Sequence, residues 1–202
     1  MTTQAFDVLR KYFDNKIPIT EDEFAFAKTQ FTRRELKKGE FILREGEVAK
    51  TGAFVTKGCL RSYSVDNKGK EHILQFAQEE WWISNLESLA SQQPSKYFID
   101  AIEDSEVLLI DRPSFQRMME QVPAFAKSFQ SGIQKRNDAK DKRIIGALSY
   151  TAEERYHDFL ESYPKLASRV PQHMLASYLG ITPETLSRIR KSLSRKKSLS
   201  KT

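Results

Sequence analysis

Apolar residues change their spacing twice along the chain, and each change marks a boundary between kinds of structure. From residue 4 to 30 the spacing is helical. Phe6, Leu9 and Phe13 recur at steps of three and four, Pro18 interrupts, and Phe24, Ala27 and Phe31 resume the pattern. Thr20, with Glu23 three residues on, reads as a helix start in which hydroxyl and carboxylate each accept a free backbone N–H. Residues 32–111 change to short β-rich runs between turns. Gly39 and Gly46 flank one run, Lys57-Gly58 splits a pair, Val65–Lys70 ends a strand, and His72–Phe76, Tyr97–Ala101 and Val107–Ile110 supply more. About six strands at this spacing predict a barrel or jelly roll.

From residue 112 the helical spacing returns. Pro113 starts a short helix carrying Phe115, Met118 and Met119, and Pro123 starts a longer one reaching Leu148. Phe125, Phe129, Ile133, Asn137, Lys140 and Ile144 recur along that second helix at coiled-coil steps. The centre of this seam is polar, which costs stability while fixing register. The pattern fits a pairing helix, and it also fits a solvated helix lying against its own domain. Two further helices are predicted near Thr151–Tyr163 and Gln172–Tyr178, and the chain ends in a polar, basic stretch, Ser192–Thr202.

Composition removes several classes of function. The 202 residues contain one cysteine, Cys59, which excludes a disulfide framework and a four-cysteine zinc or iron–sulfur site. Apolar runs reach four or five residues, as at Val107–Ile110, against the roughly 20 of a membrane span. Neither a basic flank nor an apolar core marks the start of the chain as a secretory signal. The expectation is a soluble, reduced, cytoplasmic protein. Charge is uneven: residues 1–134 hold 18 Lys/Arg against 20 Asp/Glu, and residues 135–202 hold 15 against 7. A basic end on a neutral body fits a polyanionic partner, and it also fits a solvated tail.

The segment Gln172–Lys191 concentrates the functional signal. Two short helices crossing at a tight turn need a small contact residue, a glycine in the turn and apolar side chains facing inward. Ala176, Gly180, and Leu175, Leu179, Ile181, Leu186 and Ile189 fill those places, and Thr182-Pro183 restarts the chain as a helix. Glu184, Thr185, Ser187 and Arg188 remain on the outer face near the helix start, where a major-groove reader places its base contacts. With Thr182 in the turn, and Arg190, Lys191, Arg195, Lys196 and Lys197 following as phosphate contacts, they form a candidate DNA-binding set.

On these motifs the chain resembles the Crp/Fnr family of bacterial transcription regulators over nearly its whole length. Lys38-Gly-Glu-Phe-Ile-Leu-Arg-Glu-Gly-Glu and Phe54-Val-Thr-Lys-Gly-Cys-Leu-Arg are similar to turns of the family's cyclic-nucleotide-binding jelly roll. Pro123–Leu148 sits where the family has its dimerisation helix. Tyr150-Thr-Ala-Glu-Glu-Arg-Tyr precedes the helix-turn-helix as in a branch without established cyclic-nucleotide dependence. The family's base-reading glutamate, serine and arginine fall on Glu184, Ser187 and Arg188.

The resemblance implies an α+β protein in three parts. Residues 1–122 would form an effector-sensing β jelly roll with flanking helices, 123–148 a dimerisation helix, and 149–202 an all-α helix-turn-helix domain with a truncated wing. It implies a homodimer on near-palindromic double-stranded DNA, and contact with RNA polymerase if the protein activates. The polar, basic end would serve as a flexible substitute for the wing.

The chain departs from the family where cyclic AMP is held. Members that bind it offer Gly-Glu for the ribose and Arg-Ser for the phosphate. Here Trp81-Trp-Ile-Ser-Asn-Leu-Glu places Ser84-Asn85 at the first site, and Ser95-Lys96 stands at the second. Without the bidentate arginine a phosphate loses a charge-assisted contact, so cyclic AMP is expected not to bind. Trp81, Trp82, Ser84, Asn85, Glu87, Ser95 and Lys96 form the candidate pocket for another effector, although adjacent tryptophans in a barrel are more often core and rim. No cofactor or metal is expected. The three histidines, His72, His157 and His173, lie in three regions, and no G-x-S-x-G occurs, so an enzyme is not expected. A sensor module acting on proteins rather than DNA is the alternative reading.

Overall fold

The computed structural model describes residues 3–16 and 18–199. Helices α1 (Thr3–Lys16) and α2 (Glu21–Thr29) open the chain. Thr20 accepts the Glu23 N–H through its hydroxyl, and the Glu23 carboxylate accepts the Thr20 N–H, so α2 starts with the expected reciprocal cap.

Eight strands follow among the described residues: β1 (Thr32–Leu36), β2 (Phe41–Leu43), β3 (Thr51–Lys57), β4 (Leu60–Val65), β5 (Glu71–Ala77), β6 (Trp82–Ile83), β7 (Phe98–Ala101) and β8 (Ser105–Asp111). They form two four-stranded sheets, ordered β1-β8-β3-β6 and β2-β7-β4-β5. The long pairing β3·β8 is antiparallel with Ala53 opposite Leu109 and Val55 opposite Val107. Successive residues of a strand face opposite sides. Ala53, Val55 and Val107 therefore join Leu36, Leu60 and Ile99 in one buried cluster, while Phe54, Leu108 and Ile110 join Leu9, Phe13, Phe24 and Met118 in a second. Burial on both faces accounts for the near-continuous apolar runs of β3 and β8. At the β3–β4 turn, Gly58 has φ of 89°, and a Cβ there would fall 2.2 Å from Ser105 Oγ, so no other residue fits without moving β8.

Helix α3 (Leu86–Ser91) sits between β6 and β7, and α4 (Arg112–Gln121), α5 (Pro123–Ser149), α6 (Ala152–Ser162), α7 (Leu166–Arg169), α8 (Gln172–Leu179) and α9 (Pro183–Leu199) complete the chain. The short helices α3 and α7 were not expected from the periodicity, because four to six residues span too little sequence to show a helical period. The stretch from Ser192, expected as a flexible tail, continues α9 as helix to Leu199. Ser, Lys, Arg and Leu are adequate helix formers, and no proline or glycine stops them. No strand follows α9 among the described residues.

The chain forms two compact units. One takes in the residues up to Lys70 and Leu74–Lys135, and the other Glu71–Ile73 and the residues from Arg136 on. The division falls inside α5. No described helix is long and apolar enough to cross a membrane.

Candidate nucleic-acid interface

In the second unit, α8 and α9 cross at a corner built as the sequence indicates. Gly180 takes the left-handed conformation (φ 66°, ψ 36°), and its N–H and that of Ile181 turn back to Ser177 O (3.1 Å) and Ala176 O (3.0 Å). These bonds satisfy carbonyls that a helix end leaves open. Leu175, Ala176, Leu179, Leu186 and Ile189 are buried, as are Tyr156, Phe159, Leu166 and Val170 of the same unit. Ile181, expected among the inward set, is half-buried. Thr182 caps α9 by accepting the Thr185 N–H at 3.2 Å, and Pro183 opens the helix.

Glu184, Arg188, Lys191 and Arg195 are all exposed, at successive steps of four, three and four. That spacing keeps them within one stripe of the helix surface. Thr185 and Ser187 beside it are half-buried, and Thr182 is exposed. The start of the stripe is ordered by its own contacts. Arg188 Nη2 donates to Thr185 Oγ1 (3.3 Å), which lies 3.2 Å from Thr182 Oγ1. Backbone N–H donation, the Thr182 hydroxyl and the Arg188 guanidinium hold the Glu184 carboxyl below the usual carboxylate range, so it is an acceptor at neutral pH.

Arg190 departs from the candidate set. Its Nε donates to the Tyr156 hydroxyl (3.0 Å) and its Nη2 to Ala167 O (3.4 Å), so its fork is turned into the unit rather than outward. Position 190 follows the buried Ile189 around the helix, which turns it toward α6 and α7. The side chains of Lys196 and Lys197 lie outside the described residues.

Of the seven effector-pocket candidates, the structure brings Asn85 and Ser95 into direct contact. Trp82 is half-buried and packs against the core, its ring centroid 5.1 Å from Phe54, 6.0 Å from Phe31 and 6.3 Å from Phe125. Trp81 packs against the cluster between the sheets. Asn85 and Ser95 are buried and engaged with each other. Asn85 Nδ2 donates to Ser95 Oγ (2.8 Å), and Asn85 Oδ1 caps α3 by accepting the Ser88 N–H. Ser95 Oγ also accepts the Tyr97 N–H and donates to Tyr97 O. Ser84 is half-buried, while Glu87 and Lys96 are exposed. A cavity of about 390 Å³ in this unit is lined by Ile42, Leu43, Ala49, Lys50 and Ile99 among others, and by none of the seven.

Comparison with known proteins agrees with this geometry. Residues 33–122 match the family described as "Cyclic nucleotide-binding domain". A transcriptional activator protein, Anr, of Pseudomonas aeruginosa is 27% identical over 170 residues, 77% of this chain and 68% of that protein. The transcriptional activator FnrA of Stutzerimonas stutzeri is 28% identical over the same shares. Among solved structures, FixK2 from Bradyrhizobium japonicum is 25% identical with a TM-score of 0.70, over 82% of this chain and 85% of that one. The catabolite activator protein of Thermus thermophilus has the same fold, at 22% identity and a TM-score of 0.57, over 89% and 85%. By these likenesses the chain is similar to transcription regulators of the Crp/Fnr family.

Along α5 the residues of the expected pairing seam divide into packed and exposed groups. Phe125 is buried in the core of its own unit, and Phe129 lies edge-on to Phe115 (4.7 Å) and stacked over Phe125 (6.4 Å). Phe129 and Ile133 are half-buried. Asn137 and Lys140 are exposed, and Ile144 is 59% exposed beside Ile145 at 54% and Leu148 at 83%. Heptad spacing does not tell a helix that packs on its own domain from one that pairs with a copy. Ile145 and Leu148, exposed beside Ile144, fall off the expected seam. Tyr156 and Gln172 were missed. Tyr156 reads in sequence as one more aromatic, and Gln172, whose Nε2 donates to Pro183 O at 3.0 Å, has no pattern of its own.

Proposed function

We propose that this protein is a sequence-specific DNA-binding transcription regulator that acts as a homodimer on near-palindromic double-stranded sites. The observation that carries the reading is the exposed stripe Glu184–Arg188–Lys191–Arg195 on a helix entered through a left-handed glycine corner. Arginine can give two hydrogen bonds to guanine O6 and N7, and glutamate can accept from cytosine N4. Lys191 and Arg195, further along α9, meet phosphates and add affinity without sequence information. The described helix of 17 residues spans about 25 Å, enough for its start to enter a groove while its basic end lies along the backbone. That end takes the role a wing would have.

A second copy covers Ile144, Ile145 and Leu148. Adjacent exposed aliphatic side chains on a helix are a surface that water solvates poorly. Two-fold pairing there brings two copies of α9 to successive major grooves about 34 Å apart. RNA polymerase is the further partner if the regulator activates.

Cyclic AMP is not the effector. Asn85 and Ser95 stand where the family has its ribose- and phosphate-binding groups, and they satisfy each other. The only cation beside them in sequence, Lys96, offers no bidentate fork. The protein requires no cofactor for DNA binding and works in the cytoplasm. Crosslinking the protein to DNA in its own cells and sequencing the recovered fragments tests the reading. Discrete segments sharing an inverted repeat are expected, and uniform recovery across the chromosome would contradict it.

A further inference from the structure

Arg155 lies on α6, outside the two helices that carry the DNA-reading surface, and its guanidinium reaches into the corner between them. Its Nη1 donates to the carbonyl oxygen of Leu179, the last residue of α8, at 2.9 Å. That carbonyl is one of the group a helix end leaves without an internal partner. The turn's own N–H groups satisfy the carbonyls of Ala176 and Ser177, but Leu179 O is met from another helix, and by a charge. Such bonds are shorter and stronger than neutral ones.

The rest of the side chain is confined as well. A Cβ on Gly146 of α5 would stand 3.9 Å from Arg155 Cγ and 3.3 Å from the Tyr150 ring, and one on Gly180 would stand 3.4 Å from Arg155 Nη1. Glycines thus lie against both the stem and the head of this arginine. Its Nε–H is buried with no acceptor among the described residues. Buried donors are nearly always met, so the fork is aimed for the Leu179 carbonyl at the expense of its own third nitrogen. The next residue, Tyr156, binds Arg190 of α9. Two consecutive residues of α6 therefore hold the two helices of the reading head, one each.

We propose that Arg155 is a positioning residue for DNA reading: through Leu179 O it fixes the angle at which α9 leaves α8, and it touches no DNA itself. This rests on the DNA-binding reading above. The test compares wild type, R155A, R155Q and R155K. Each is titrated against a duplex selected by the wild type and against an unrelated duplex, over a range of salt, with a thermal melt of each variant. R155A is expected to bind the selected duplex tenfold or more weakly, with binding to the unrelated duplex and the salt slope unchanged, because no phosphate contact is lost. R155K, whose ammonium can reach the same carbonyl, is expected to regain most of the loss. If R155A does not melt cooperatively, R155Q is scored by the same criteria, since its amide ends where Arg155 Nε stands and falls short of Leu179. A wild type with no preference between duplexes would overturn the DNA-binding reading itself. A wild type with preference, matched by R155A, would overturn the positioning role alone. A salt slope lower by about one would place Arg155 on a phosphate and would overturn it too.

Discussion

Arg190 gives its Nε–H to the hydroxyl of Tyr156 at 3.0 Å, and this bond ties the middle of α9 to α6. A basic residue two positions beyond Arg188 is thereby withdrawn from the exposed stripe of α9 and made part of the support behind it. Replacing Arg190 by Ala is expected to destabilise the unit by about 1.5–3 kcal/mol, the range for a hydrogen bond to a charged group. Loss of DNA affinity should follow the loss of fold, with the salt slope unchanged. A thermal melt read together with salt-dependent anisotropy separates the two. A lower slope at unchanged stability would return Arg190 to the phosphate contacts.

Arg188 is expected to behave differently. Alanine there should cost roughly 1–3 kcal/mol at the preferred site and relax preference at one base pair. Lys191→Ala should weaken binding to all sequences alike and lower the salt slope by about one. Titrations on single-base variants of the site distinguish the pair, and an equal loss for R188A on every sequence would move Arg188 among the phosphate contacts.

On α5, Leu148→Glu combined with Ile144→Glu is expected to convert dimer to monomer in sedimentation equilibrium, because two carboxylates would face two more across the pairing axis. Phe129→Ala should leave association intact and instead lower thermal stability by about 3–5 kcal/mol at most, the range for a fully buried aromatic. Dissociation by F129A with no loss of stability would restore the seam drawn from the heptad spacing.

Acid should loosen the start of α6. Glu154 accepts the Thr151 N–H and hydroxyl, and these bonds hold its carboxyl below the ordinary value of 4.5. Its contribution is therefore fully present above about pH 4.5 and is lost as pH falls through the lowered folded value. The same sign holds for Glu23 at the start of α2. E154Q should flatten the acid limb of the stability–pH curve and leave the neutral plateau lower. An unchanged acid limb would show that the reciprocal cap contributes nothing to pH dependence.

Much of this fold was legible in the chain. The Thr20/Glu23 pair, Gly180 and Thr182-Pro183 specify their local backbone through chemistry confined to a few neighbouring residues, and each lies where that chemistry puts it. What was illegible depends on partners distant in sequence. Arg190 looked like another surface cation because Tyr156, its acceptor, is 34 residues away. Phe125 and Phe129 looked like a pairing seam because the aromatic shell around them comes from α1, β6 and α4. Asn85 and Ser95 looked like empty replacements for ligand-binding groups, and their mutual bond spans ten positions. The mutual bond also gives a further expectation: isothermal calorimetry with cyclic AMP should show no heat of binding at micromolar concentration, and a micromolar or tighter constant would contradict the reading of that site.

The central claim is that α9 reads DNA sequence, and selection from random duplex DNA by the purified protein without added ligand tests it most directly. An enriched inverted repeat with half-sites about one helical turn apart is the expected result. Binding that tracks salt alone, with no sequence enriched, would contradict it.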